Sequence, residues 1–256
     1  MTAGVLTPPR RLSAAIWAPA ELALAAIGVA EEVTLGLHAP VGAWVPAAAL
    51  ARAEGLPLLL QAAAHRWNAQ PHAAATLAWK SYSYWACLPA VLSWAAARRV
   101  PLLTAEDTYA ILHTEQPFLR IGVTDVPFAV LPGDPLAELT GSVVVESEEA
   151  LLATLREVLL GEQLHPLLDA VRSEVHVGRR TLLGSIASGV SYGIIRAGGV
   201  LRGDPAELLN RLLAALDLED LVDIVRTPTG LTVQRKTCCL AFTLDEPKIC
   251  SGCCIR

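Results

Sequence analysis

The spacing of apolar residues along the chain predicts a mostly helical protein. Apolar positions that recur every three or four residues favour helices, and the longest such region is apolar on most of its faces. Pro89 lies inside that region and predicts a kink there. Asp204 followed by Pro205 is a typical helix start, with an N-cap and a proline in the first turn. The predicted helices span residues 21–29, 58–68, 73–99, 147–161, 164–175, 181–195 and 205–216.

A smaller part of the chain has the pattern of strands. Residues 31–37 alternate apolar and polar positions, and residues 118–131 predict a hairpin or a pair of strands around a polar break. Short strands are also predicted at 142–146, 231–236 and 240–244. The predicted fold class is therefore α+β and predominantly helical, with a small central antiparallel sheet. A turn at 227–230 divides the chain into a domain at 1–225 and a cysteine-rich segment at 226–256.

Composition and charge narrow the class of protein. Hydrophobic residues make up 53% of the chain, so a sizeable core can form. The net charge of −5 argues against a nucleic-acid partner, although residues 226–256 hold five basic and two acidic residues, a local charge of +3. No signal peptide is visible, and the apolar run at 85–97 is too short to span a bilayer. We therefore expect a cytoplasmic protein without a transmembrane segment.

Cysteines concentrate at the end of the chain. Five of the six lie in the last nineteen residues, as a vicinal pair, a C-x-x-C knuckle and one further thiol. In a reducing compartment such clusters more often bind metal or take part in redox chemistry than form structural disulfides. The cysteines in question are Cys238, Cys239, Cys250, Cys253 and Cys254.

The spacing leaves three kinds of site open. A zinc ribbon usually pairs two C-x-x-C knuckles, whereas this chain has one knuckle and a vicinal pair. Adjacent residues of a strand point to opposite faces, so both sulfurs would reach one ion only after a strained bend. A two-iron cluster is wider and takes two thiolates on each iron, which fits this spacing more easily. Disulfides or redox-active thiols are the third possibility.

The motif C-C-x10-C-x2-C at the end of the chain resembles the signature of FhuF-type ferric-siderophore reductases. Residues 77–82 and 180–188 are similar to that family's central helix and to its small-residue helix. Where the family commonly has Pro after the last ligand, this chain has Cys254, which we interpret as a bystander thiol. The resemblance implies a [2Fe-2S] cluster held by Cys238, Cys239, Cys250 and Cys253.

The function implied by this resemblance is reduction of an imported ferric siderophore, of hydroxamate type, so that Fe2+ is released in the cytoplasm. The implied partners are the chelate, an electron donor such as a ferredoxin or flavodoxin, and the inner-membrane surface as a peripheral contact. Arg235 and Lys236 precede the first cysteine pair and are candidates for docking the substrate or a partner. Two alternatives stay open: an iron–sulfur electron-transfer or sensor protein without a chelate substrate, and a zinc-binding structural protein.

Overall fold

The computed structural model describes residues 10–38, 40–52, 54–113 and 117–255, with side chains from residue 15. Its helices are α1 (Arg10–Ala26), α2 (Ala47–Leu50), α3 (Leu56–Trp67), α4 (Pro71–Ala97), α5 (Glu148–Arg156), α6 (His165–Glu174), α7 (Arg179–Ala197) and α8 (Pro205–Ala215). Its strands are β1 (Val33–Thr34), β2 (Val45–Pro46), β3 (Arg99–Pro101), β4 (Thr108–Leu112), β5 (Leu119–Val123), β6 (Phe128–Val130), β7 (Val143–Val144), β8 (Val222–Thr227) and β9 (Gly230–Arg235).

Helix α4 forms the centre of the protein and packs against α1, α3 and α7. It begins with a proline in its first turn and ends where Arg98 adopts the left-handed conformation with φ 56°. Its apolar residues face several directions, as expected for a helix enclosed by others. The prediction of a long helix in this region is confirmed, and Pro89 lies within it.

The contact between α4 and α7 depends on small residues. A Cβ added at Gly189 of α7 would lie 3.2 Å from the Cα of Tyr84 on α4, and one at Gly193 would lie 2.7 Å from the Leu88 side chain. Most of the α7 residues on this side are buried. The prediction that the small residues of this helix admit a second backbone is confirmed, and the two helices form the scaffold for the end of the chain.

The two helices predicted at 147–161 and 164–175 are one continuous helical run in the structure. A π-helical segment, Glu157–Leu164, joins α5 to α6. Gln163 within it is fully buried and donates hydrogen bonds to the carbonyl of Ala86 (3.1 Å) and to Oγ1 of Thr108 (3.0 Å). These bonds give the buried amide partners on α4 and β4, so the widened turn is tied to the core.

The strands form small mixed sheets. One sheet has the order β1-β5-β4-β2 and another the order β3-β6-β7, and the pairs β1–β5 and β6–β7 are parallel. The α+β, mostly helical class is confirmed, but the expected purely antiparallel pairing is not. Residues 118–131 supply β5 and β6 to different sheets, so the hairpin interpretation of that segment is wrong, and β4 was not predicted.

The end of the chain starts with a two-stranded hairpin. Strands β8 and β9 pair antiparallel across the turn predicted at 227–230, and the predicted division after residue 225 falls inside β8. The strand predicted at 240–244 is wrong, because that segment contains the 3-10 turn Ala241–Thr243. Within the described ranges, no helix combines the length and the apolar character needed to cross a membrane.

Candidate metal centre

Cys239, the second residue of the vicinal pair, packs against one face of α4. Ala73, Thr76, Leu77 and Lys80 are spaced three and four residues apart, so they share that face. Thr76 donates a hydrogen bond from Oγ1 to the carbonyl of Cys239 (2.9 Å), and Ala73 and Leu77 pack in a small apolar cluster with that cysteine. Nζ of Lys80 lies 3.8 Å from the sulfur of Cys239. One face of α4 therefore binds the backbone carbonyl of Cys239, packs against its side chain and places a positive charge near its sulfur.

The chain bends sharply after the vicinal pair. Leu240 adopts the left-handed conformation with φ 61°, which is unfavourable for a residue other than glycine. The bend turns its backbone N–H back so that it donates to the sulfur of Cys238 (3.3 Å). The backbone is therefore strained at the residue directly after the vicinal pair.

The C-x-x-C knuckle is held against strand β9. Cys253 N–H donates to the carbonyl of Cys250 (3.1 Å), which closes the knuckle. The N–H of Arg235 donates to the carbonyl of Gly252 (2.9 Å), and Nε2 of Gln234 donates to the carbonyl of Cys253 (2.6 Å). A Cβ at Gly252 would lie 1.9 Å from the carbonyl oxygen of Val233, so only glycine fits at this position.

The five C-terminal thiols lie close enough together to affect one another's ionisation. Cys250 affects the pKa of Cys239, and Cys238 affects the pKa of Cys254. Cys253 lies close enough to both Cys250 and Cys254 to affect their ionisation. Among the residues that the structure describes, no group of three or more His, Cys, Asp or Glu side chains is arranged to hold one metal ion. The thiols are thus electrostatic neighbours, with Cys239 beside Cys250, Cys238 beside Cys254, and Cys253 near both Cys250 and Cys254.

Burial and neighbouring charges shift the pKa values of Cys239 and Cys250 in opposite directions. Burial alone would raise the pKa of Cys239, but Lys80, the Ala241 N–H, Arg235 and Cys250 together hold that pKa below its usual value. Burial raises the pKa of Cys250, and the neighbouring Cys239 and Cys253 add to the effect while the two cations oppose it. The lowered pKa favours the thiolate form of Cys239, which is the form that binds a metal.

Cys254 belongs to the same group of thiols. Burial and its neighbours Cys238 and Cys253 raise the pKa of Cys254. Its side chain is partly buried and lies beside that of Cys238. The interpretation of Cys254 as a bystander was based on sequence position alone, and the structure brings this thiol next to a predicted ligand.

Arg235 and Lys236, predicted together as docking residues, lie in different environments. Arg235 is 2% exposed and donates from Nη2 to Oγ of Ser185 (3.2 Å) on α7. Lys236 is exposed and forms an ion pair with Asp223 on β8 (2.7 Å). Arg235 is the last residue of β9 and points inward, whereas Lys236 directly follows the strand and points outward.

A cavity of about 220 Å³ lies between α4 and α7, and Cys250 forms part of its wall. Two basic side chains, Lys80 and Arg235, also line it, and the described residues of its lining include no acidic group. The hydroxyl residues of its lining are Ser81, Tyr84, Ser185, Ser188 and Tyr192. The cavity therefore combines positive charge and hydrogen-bond donors beside a predicted ligand.

The sequence predicted the cluster of cysteines but not the polar residues that α4 and α7 contribute around it. Thr76, Lys80 and Ser188 lie far from the cysteines in the sequence and carry no motif of their own. The only available signal was that residues 77–82 and 180–188 resemble two helices of a family with the same cysteine motif. These two segments do line the site.

The comparisons with known proteins give no relative for this chain. No protein-family model matches it, and no curated protein matches its sequence at a significant level.

Proposed function

We propose that this protein is a [2Fe-2S] oxidoreductase that delivers one electron to an imported ferric chelate and so releases Fe2+. The observation that carries the proposal is that the thiols of the vicinal pair and those of the C-terminal cysteines are close neighbours beside Lys80 and Arg235. A two-iron cluster requires two thiolates on each iron, and four of these neighbouring thiols meet that number. The ligands in this proposal are Cys238, Cys239, Cys250 and Cys253.

Three features of the chain support a cluster at these cysteines. Lys80 and Arg235 oppose the negative charge that four thiolates would bring together. The Leu240 N–H already donates to the sulfur of Cys238, and hydrogen bonds to ligand sulfurs are a common feature of iron–sulfur sites. Cys250 borders a cavity, so one side of the site is open to a substrate.

The proposed chemistry follows from the affinity of oxygen ligands for Fe3+. When bound, a [2Fe-2S] cluster supplies one electron at a time. Addition of that electron to the Fe3+ of the chelate gives Fe2+, whose lower charge weakens its bonds to hard oxygen donors. The residues of the protein would hold the chelate near Cys250, and Lys80 and Arg235 would supply positive charge to the site.

A donor must return the electron after each turnover. We propose a ferredoxin or flavodoxin for this role, a cytoplasmic site of action with at most peripheral contact with the inner membrane, and a hydroxamate-type ligand on the iron. These assignments are supported by the resemblance of the cysteine motif and of the two helices that line the site.

Purified full-length protein tests the proposal directly. We expect two irons per chain and a visible absorption spectrum that bleaches with dithionite under anaerobic conditions. Addition of a ferric trihydroxamate to the reduced protein should restore the oxidised spectrum and produce Fe2+, which a ferrous chelator detects. A colourless protein with one zinc per chain would refute the cluster, and a cluster that is not reoxidised by the chelate would favour an electron-transfer or sensor protein.

A further inference from the structure

The cavity between α4 and α7 contains a buried arginine whose hydrogen-bonding capacity is largely unused. Nε and Nη1 of Arg235 find no hydrogen-bond partner in the described part of the chain, although the side chain is 2% exposed. A buried guanidinium with free N–H groups is costly unless an anion or another acceptor satisfies it. This arginine therefore indicates an acceptor that the chain itself does not provide.

The surroundings of Arg235 favour an oxygen anion as this acceptor. Lys80 adds a second positive charge to the same cavity, and Ser188 adds a hydroxyl donor. The Ser185 hydroxyl holds the guanidinium in place, since it accepts from Arg235 and donates to the carbonyl of Thr181. The free Nε–H and Nη1–H lie on different edges of the guanidinium, and each edge is completed by an N–H of Nη2, which also donates to Ser185. A carboxylate can pair with the edge that Ser185 leaves free. The cavity thus has both the charge and the donors of an oxyanion site.

The size of the cavity limits what can enter it. Its volume of about 220 Å³ accepts a carboxylate and a few attached carbon atoms. The bulk of a chelate bound here would therefore remain at the mouth of the cavity.

We propose that this cavity binds an oxyanionic group, a carboxylate in the simplest case, carried by the ligand of the ferric chelate, with Arg235 as the main contact. The inference rests on the proposed function, because the occupant is part of the substrate. Binding the ligand arm between α4 and α7 would orient the chelate next to Cys250. Arg235 and Lys80 act here as positioning residues, and the site would select chelates with a free anionic group over neutral ones.

A matched pair of probes tests this selection. The first probe is a linear trihydroxamate with a terminal carboxylate, and the second is the same compound with that carboxylate converted to an amide. Both are loaded with Ga3+, which does not accept the electron, and their binding to the full-length protein is measured by titration calorimetry. We expect the carboxylate probe to bind at least about tenfold more tightly, as a charge-assisted hydrogen bond predicts.

Variants test whether residues of the cavity cause the preference for the carboxylate probe. Arg235→Gln should reduce the ratio of the two affinities to about one, and Arg235→Lys should restore part of it. Lys236→Gln removes the same charge from the next residue, which faces Asp223 outside the cavity, and should leave the ratio unchanged. If Arg235→Gln does not fold, Ser188→Asp places a competing carboxylate in the cavity and should also abolish the preference. Circular dichroism and the visible spectrum check the fold of each variant.

The outcomes distinguish this inference from the proposed function. Equal affinity of wild-type protein for both probes would overturn the inference and would indicate that the two cations only neutralise the thiolates. Binding of inorganic phosphate without any preference between the probes would also overturn it, by assigning the cavity to a small free anion. Iron content and the visible spectrum test the cluster separately, so a colourless protein refutes the proposed function whatever the calorimetry shows.

Discussion

Substitution of Gly252 by alanine should detach the C-x-x-C knuckle from strand β9. The added Cβ would lie 1.9 Å from the carbonyl oxygen of Val233, whereas a carbon and an oxygen normally approach to about 3.3 Å. The obstacle is backbone of a paired strand, which is less free to move than a side chain. The knuckle must therefore retreat by more than about 1 Å, given these two distances.

The displacement breaks two hydrogen bonds that hold the knuckle. These are the bond from the Arg235 N–H to the carbonyl of Gly252 (2.9 Å) and the bond from Gln234 to the carbonyl of Cys253 (2.6 Å). At about 1 kcal/mol each, their loss disfavours the docked knuckle by about 2 kcal/mol. This corresponds to roughly a 30-fold change in the docking equilibrium.

Two measurements check this prediction. Hydrogen exchange of the Arg235 amide should accelerate by roughly the same 30-fold factor, because its acceptor moves away. Iron content after reconstitution should fall, while the helical circular dichroism should stay close to that of the wild type. Gly199→Ala is the matched control, since a Cβ at Gly199 meets nothing within 4 Å. Unchanged exchange and full iron content in Gly252→Ala would refute the close packing of the knuckle on β9.

Three further predictions concern the thiols and their cations. Cys254→Ser should keep the visible spectrum of the cluster and Cys250→Ser should lose it; the reverse result would move the ligand set by one residue. Lys80→Gln should lower the reduction potential by on the order of 40 mV, measured by redox titration, because it removes a cation 3.8 Å from the sulfur of Cys239; an unchanged potential would exclude this charge as a determinant. Cys87 should resist iodoacetamide at pH 8 in the native protein, because burial raises its pKa to about 12, and should react in denaturant; peptide mass spectrometry showing native alkylation of Cys87 would contradict its burial.

Helices with a strong local signal were predictable from the sequence. Helix α8 has a capping aspartate and a proline at its start, and Asp204 does accept a hydrogen bond from the N–H of Ala206. Helix α4 has a long apolar region that overrides the proline within it. In such segments local preference and tertiary packing favour the same structure.

The strands and the end of the chain were less predictable because their partners are remote in sequence. Residues 118–131 have the pattern of a hairpin, but β5 pairs with β4 and β1 while β6 pairs with β3 and β7. Residues 240–244 were predicted to form a short strand, yet Leu240 takes a left-handed conformation that ends any strand there. These outcomes are determined by long-range pairing and by the bend after the cysteines, which a local pattern does not contain.

The candidate site shows the same division between local and remote information. The spacing of the cysteines was enough to predict that they form one cluster, because they lie close together along the chain. From the sequence, Arg235 and Lys236 were also treated as one basic pair. In the structure, the Arg235 side chain is buried at the cavity and the Lys236 side chain lies at the surface. The buried position of Arg235 depends on α7 approaching β9, and Gly184 permits that approach, since a Cβ there would lie 2.0 Å from Oγ1 of Thr237. The helix that covers the cysteine motif therefore determines the surroundings of the neighbouring basic residues, with Arg235 at the cavity and Lys236 at the surface.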